Sequence, residues 1–442
     1  MAGDGPAPDQ PSAEPATRWR RITLAAGAAV VVVVILFIVF GNLLDPGTPS
    51  ASASSAQEQS PSAGPTDVAT TSLSPTNAPA TGWTPAEIAG VPWVDGIAER
   101  DGRLVAVGRT GIQTGSVVIA YSDDGETWTT VDIAHLGLDI EPQGPNQVGL
   151  ISLAIAAGEP GFVAVGSRLA ADLSVEDLYF FSPDGLDWQT ADPPEDCAAG
   201  YGVRAVGSAF VKFGEMCVSD GLPPPGPTRV VTSADGRSWT SRLDAENPLG
   251  PWTSDGERIV MLIGAGSQDR AGVANSDDGA DTWRQIPDAF PEGVSVYSVA
   301  WGHDRYVAEA SWINLLRPGD PDHAVCASDI GETWTCDRLS SVTAPPEERR
   351  AVGAVTSTST GFASLLMVLD DPFGQIPALT AVLATSADGL AWTFTTVAAM
   401  KDTQLGGFVG TSHGVFAWGS TVNADGSGLQ EPSLLVHLAP LP

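Results

Sequence analysis

The chain has 442 residues, with 53 Asp and Glu against 21 Lys and Arg and a net charge of −32 at pH 7. So acidic a protein repels phosphate backbones and anionic headgroups, which excludes nucleic acid as a partner and disfavours adsorption to membrane surfaces. Solubility outside the cell is the simplest use of this charge, and a cationic partner is compatible with it but not required.

In chain order, 1–21 read as a polar cytoplasmic tail ending in Arg18-Trp19-Arg20-Arg21. An apolar run follows over 22–44, broken only by Thr23 and Asn42 near its ends. Some twenty such residues suffice for a membrane-spanning helix. Arginines flank it on one side only, which puts the N-terminus in the cytoplasm and the rest outside. A cleaved signal peptide is the competing reading. The length of the run and the lack of a small-residue cleavage site directly after it weigh against that. Residues 45–81 are almost entirely Pro, Ser, Thr, Ala and Gly with no Lys or Arg, the composition of a disordered stalk. Half-extended, it would reach on the order of 100 Å.

The remainder, 82–442, carries 18 Lys and Arg against 47 Asp and Glu, and its only lysines are Lys212 and Lys401. Six turn-like segments recur: Ser122-Asp-Asp-Gly-Glu-Thr-Trp128, Ser182-Pro-Asp-Gly-Leu-Asp-Trp188, Ser233-Ala-Asp-Gly-Arg-Ser-Trp239, Ser276-Asp-Asp-Gly-Ala-Asp-Thr-Trp283, Ser328-Asp-Ile-Gly-Glu-Thr-Trp334 and Ser386-Ala-Asp-Gly-Leu-Ala-Trp392. With Trp83, the tryptophans are spaced 45, 60, 51, 44, 51 and 58 residues apart. Such a period, filled with short strands, predicts an all-β, seven-bladed propeller.

Each turn suits the hairpin between the third and fourth strands, C and D, of a blade, with the fourth strand beginning at the Trp. The short Ser and Asp side chains bond nearby N–H groups, and Gly supplies positive φ. Asp124, Asp184, Asp235, Asp278 and Asp388 hold the turns. Trp83, Trp128, Trp188, Trp239, Trp283, Trp334 and Trp392 pack on neighbouring apolar surface. The seventh blade runs out after 433–438, so 82–85 must supply its fourth strand and close the ring.

These S-x-D-G-x-x-W turns resemble the Asp-box, or BNR, repeats of sialidase-like propellers, here a membrane-anchored bacterial form with an Ala-, Gly- and Arg-rich, Lys-poor composition. Ile330 replaces the Asp in one turn, and Ala280 stands at the second-Gly position of the longer one. The resemblance implies architecture more than activity. A sialidase would also need three arginines on the substrate carboxylate, a Tyr–Glu pair and an acid Asp. No Arg-Ile-Pro motif lies near the first blade, and Tyr121, Tyr179, Tyr297 and Tyr306 fall within strands.

Cys326 and Cys336 lie symmetrically about one turn, which predicts a disulfide across the hairpin. Cys197 and Cys217, placed at one end of blade three, are expected to form a second. The five histidines are scattered without a metal motif, and the Asp123-Asp124 and Asp277-Asp278 pairs lack further oxygen ligands for calcium. No metal and no cofactor is expected.

Irregular sequence concentrates opposite the turns, in 133–147, 219–228, 312–323, 340–350, 369–378 and 422–431. Arg109 and Arg168 read as ending the second strand, B, of adjacent blades in matching positions, and Trp312 and Trp418 as lying near one level. Together they are ligand-face candidates for an acidic or pyranose ligand. Packing between blades and pairing with local carboxylates is the alternative for the same four. The sequence reads as a surface-displayed binding or scaffolding module for an envelope protein or glycan. An exo-acting glycoside hydrolase and an assembly factor for a membrane complex remain the other readings.

Overall fold

Runs such as Leu104-Val-Ala-Val and Phe162-Val-Ala-Val between glycine-bearing turns form strands, as β-branched and aromatic residues flanked by turn formers should. The computed structural model describes residues 83–438, apart from 89, 112–115, 138–149, 170–174, 195–197, 200–201, 217–227, 245–249, 264–270, 313–321, 339–350, 370–378 and 422–433. The expected tail (1–21), anchor (22–44) and stalk (45–81) lie outside the described residues. No described helix is long and apolar enough to cross a membrane.

Seven antiparallel sheets follow one another along the chain. Blade one comprises strands A to D at Trp93–Arg100, Arg103–Arg109, Val117–Ser122 and Thr129–Thr130, and the others repeat this order. In blade three, strand B (Ala209–Met216) pairs with both Ala198–Ala199 and Val203–Val206. Strand A of every blade contacts strand A of the next, including blade seven against blade one, so the ring is closed. Blade seven takes its outer strand from the start of the described chain: Trp83–Ala86 pairs with Leu434–Leu438, Trp83 opposite Leu438. The fold is a seven-bladed β-propeller.

One register runs through the ring. The Ser that opens each turn lies opposite a buried residue of strand B: Leu104, Phe162, Phe210, Ile259, Tyr306 and Phe362. Strand D starts one residue after the Trp, at Thr129, Gln189, Thr240, Arg284, Thr335 and Thr393, rather than at it. The Trp itself still belongs to the turn, where its indole is committed to packing.

The turn chemistry is local. In blade one, Ser122 Oγ accepts from Gly125 N at 2.9 Å, while Asp124 Oδ1 accepts from Thr127 N at 2.7 Å and Glu126 N at 2.9 Å. These backbone bonds, with that of Thr127 foremost, hold the Asp124 carboxyl well below the usual carboxylate range. Ala280 takes φ +76°, the left-handed conformation that the turn glycines adopt elsewhere. At Ile330 the Asp bonds are lost, yet Gly331 N still donates to Ser328 Oγ at 2.9 Å.

Each turn tryptophan fills the seam between its own blade and the preceding one. Trp128 meets Phe416 of blade seven edge-on at 6.1 Å, Trp239 meets Tyr179 of blade two at 5.0 Å, and Trp283 meets Phe213 of blade three at 5.7 Å. Trp188, Trp334 and Trp392 join clusters with blades one, four and five, and Trp83 packs against blade six. The core is therefore divided into seams, one turn tryptophan (or Trp83) to each.

Cys326 and Cys336 are directly opposed and disulfide-bonded. The Cys197–Cys217 pairing lies outside the described residues; the nearest described pair is Ala198 opposite Met216.

Candidate functional site

Antiparallel A-to-D order puts the B–C and D–A connections on one face of the ring, opposite the S-x-D-G-x-x-W turns. Most of the six irregular segments expected on that face lies outside the described residues. What is described there is the rim: the starts of strands A and the ends of strands B.

At the seam between blades seven and one, strand A bulges in both blades. The register shifts between Leu405 and Gly407 and between Val94 and Gly96. A bulge kinks its strand and re-aims side chains, and a cleft of about 230 Å³ opens here. It is lined by Trp93, Asp95, Arg109, Gln404, Trp418 and Ser420, among others.

Arg109 and Asp95 form a bidentate pair in its wall. Nε donates to Oδ2 at 2.9 Å and Nη2 to Oδ1 at 2.7 Å, with both side chains about nine-tenths buried. Burial pushes the Asp95 carboxyl above its ordinary value, and Arg109 opposes that rise. The guanidinium also sits 5.5 Å from the centre of the Trp93 ring. Trp418 is 5% exposed and packs with Leu104, Ala106 and Trp128 of blade one. Its indole occupies the space a side chain at Gly407 would need: a Cβ there would stand 2.0 Å from Cζ2.

The structure thus brings Arg109 and Trp418 together and leaves the other two candidates elsewhere. Arg109 and Arg168 are not in matching positions. Counted from the turn serines, Arg109 is equivalent to Ser167, so Arg168 points to the opposite face of its sheet. Arg168 pairs instead with the partly exposed Glu176 on strand C. Trp312 and Trp418 likewise differ in level. Trp418 is equivalent to Glu309, three residues before Trp312 along strand B. Trp312 packs in the seam of blades four and five with the Arg338 guanidinium 5.2 Å from its ring centre.

A buried polar group that sequence reasoning did not single out lies at the seam of blades five and six. Glu309 is 1% exposed, and burial pushes its carboxyl up to about 8, against a weaker opposing bond from Ser298. His323 Nε2 is 3.3 Å from Glu309 Oε1, and burial pulls its imidazole down to about 4. Near pH 7 this is therefore a contact of two neutral groups rather than an ion pair. Gly353 of blade six admits the carboxyl, since a Cβ there would fall 2.3 Å from Oε1. The available signal was a Glu in the otherwise apolar run Tyr306-Val-Ala-Glu-Ala310.

No protein-family model matches the chain, and no curated protein matches it. Among solved structures, it is similar to YCF48 bound to a D1 peptide, at 12% identity and a TM-score of 0.49, over 83% of this chain and all of that one. It is similar to the GH74 xyloglucanase from Xanthomonas campestris at 14% identity and 0.44, over 80% of this chain and 55% of that one. For phage phi92 endosialidase the values are 9% and 0.42, over 82% and 70%. The likeness is one of fold and no more.

Proposed function

We infer that this protein is a membrane-anchored, extracytoplasmic binding or scaffolding module, whose loop-rich face engages an envelope protein or glycan. The observation that carries the reading is the blade seven–one cleft. It sits on a rigid closed ring, at the edge of the loop face, and gathers aromatic, ion-paired and amide groups suited to recognition. The acidic charge and the stalk-like 45–81 composition support display away from the membrane. The turns' resemblance to Asp-box repeats supports an extracellular scaffold.

Glycoside hydrolysis needs two carboxyl groups facing a sugar, one of them protonated at working pH. Glu309 has the proton affinity for that acid, but at 1% exposure it is sealed between two blades. Binding is therefore favoured over hydrolysis.

In-cell crosslinking of the intact protein, followed by mass spectrometry, tests the reading. The expected result is a recurring envelope partner linked through the loop-rich face. A partner belonging to a membrane complex would refine it to an assembly factor. Turnover of a glycoside with no retained partner would overturn it in favour of a hydrolase.

A further inference from the structure

Two buried polar groups in the blade seven–one cleft have no hydrogen-bond partner among the described residues: Trp418 Nε1 and Ser420 Oγ. Their side chains are 5% and 3% exposed, and both line the cleft. Lying two residues apart on one strand, they share a face of the sheet. A buried donor left unpaired costs about 1–3 kcal/mol, a cost that an acceptor entering the cleft beside these two groups would relieve.

Charge selects what that ligand is. Asp95 and Arg109 already neutralise each other bidentately. An anion entering the cleft would meet Asp95 within a strongly acidic domain, and a cation would meet Arg109. A neutral group with adjacent donors and acceptors meets neither penalty. Its hydroxyls can donate to Asp95 and accept from the indole N–H and the serine hydroxyl. At the mouth, half-buried Trp93 supplies an apolar face beside exposed Gln404 and Gly406. A volume of about 230 Å³ is smaller than a drug-sized pocket and has room for a single ring.

We propose that the cleft between blades seven and one binds a neutral saccharide through one pyranose ring. The ring's vicinal hydroxyls bond Asp95, Trp418 and Ser420, and its apolar face lies toward Trp93. This rests on the binding-module reading and names one ligand class for it.

The test is ligand-observed saturation-transfer NMR on the full-length protein in a sugar-free detergent. Glucose, mannose and N-acetylglucosamine serve as neutral probes, with N-acetylneuraminate as the anionic one. The expected result is millimolar binding of at least one neutral sugar and none of the anion. Ser420→Ala and Trp93→Ala should each weaken it by about five-fold or more, and Ser420→Ala, which deletes an unpaired buried hydroxyl, should not lower the melting temperature. Absence of transfer from every neutral sugar, preference for the anion, or binding that survives both variants would each overturn the proposal. If crosslinking still recovers a protein partner in any of those cases, the binding-module reading stands without it.

Discussion

Arg305 of blade five donates through Nη1 to the main-chain carbonyl of Asp388, in the turn of blade six, at 2.8 Å. Its Nε bonds Asp329 in its own turn at 2.9 Å, so one side chain ties two blades together on the face opposite the loops. Arg103 does the same between Asp123 and the Asp184 carbonyl, and Arg258 between Asp277 and the Ile330 carbonyl. The expected effect of Arg305→Ala is a loss of about 1 kcal/mol, because the contacts are charge-assisted but solvent-exposed. Arg103→Ala, Arg258→Ala and Arg305→Ala combined should cost about 3 kcal/mol, since distant sites add. Thermal melts of the parent, Arg305→Ala and the triple variant check this, and an unchanged triple variant would remove the stapling role.

Trp239 packs on Tyr179 across the seam of blades two and three, and its Nε1 donates to the Gly236 carbonyl at 3.2 Å. Trp239→Ala leaves a cavity there and should destabilise by about 3 kcal/mol. Denaturant unfolding measures it. Little change in midpoint would contradict the seam-filling role of these tryptophans.

Glu309 sets a pH dependence. An ordinary Glu releases its proton near 4.5, whereas Glu309 holds its proton in the folded state up to about 8. Between those values the folded state binds the extra proton. The stability this gives is complete below 4.5 and is lost as pH rises to about 8. His323 acts at the other end: its contribution is present above 6.5 and lost as pH falls toward 4. In Glu309→Gln the alkaline-side loss should vanish, by up to about 1 kcal/mol per pH unit. Melting temperatures from about pH 5 to 8 would show the variant gaining on the parent; parallel curves would mean an ionised Glu309.

Reducing Cys326–Cys336, which closes a loop with a sequence separation of 10, should cost about 2 kcal/mol. Melts of Cys326→Ala/Cys336→Ala beside the parent, with and without reductant, measure this. A reductant effect that persists undiminished in the variant would place the effect elsewhere.

The blade count, the turn positions, the ring closure through Trp83 and the Cys326–Cys336 bond were legible because each follows from local spacing. A turn of fixed length sets the strand register on both sides, and register fixes which residues oppose. The arginine staples were legible too, had the residue just before the turn serine's partner on strand B been compared with the second turn residue. Arg103, Arg258 and Arg305 accompany Asp123, Asp277 and Asp329, while Gly161, Ala209 and Gly361 accompany Pro183, Ala234 and Ala387. The candidate site was less so. Arg109 and Arg168 look equivalent by strand end, but an offset of one residue reverses the face. The bulges beside the cleft leave Asp95 and Gly406 out of the pairing. Neither position announces a bulge without knowledge of its partner strand.

The pairing of Trp83–Ala86 with Leu434–Leu438 joins residues such as Thr84 and His437, which lie 353 positions apart along the chain. During synthesis the first strand of the ring emerges early and must wait for its partner until nearly all of the propeller has left the ribosome. Contacts of such long range are slow to form, and unpaired strand edges invite association in the interval. Blades one to six can each complete their sheets as they appear. The closing blade makes ring formation the last event, and a chain cut short before Leu434 would present an open arc with an exposed edge at blade seven.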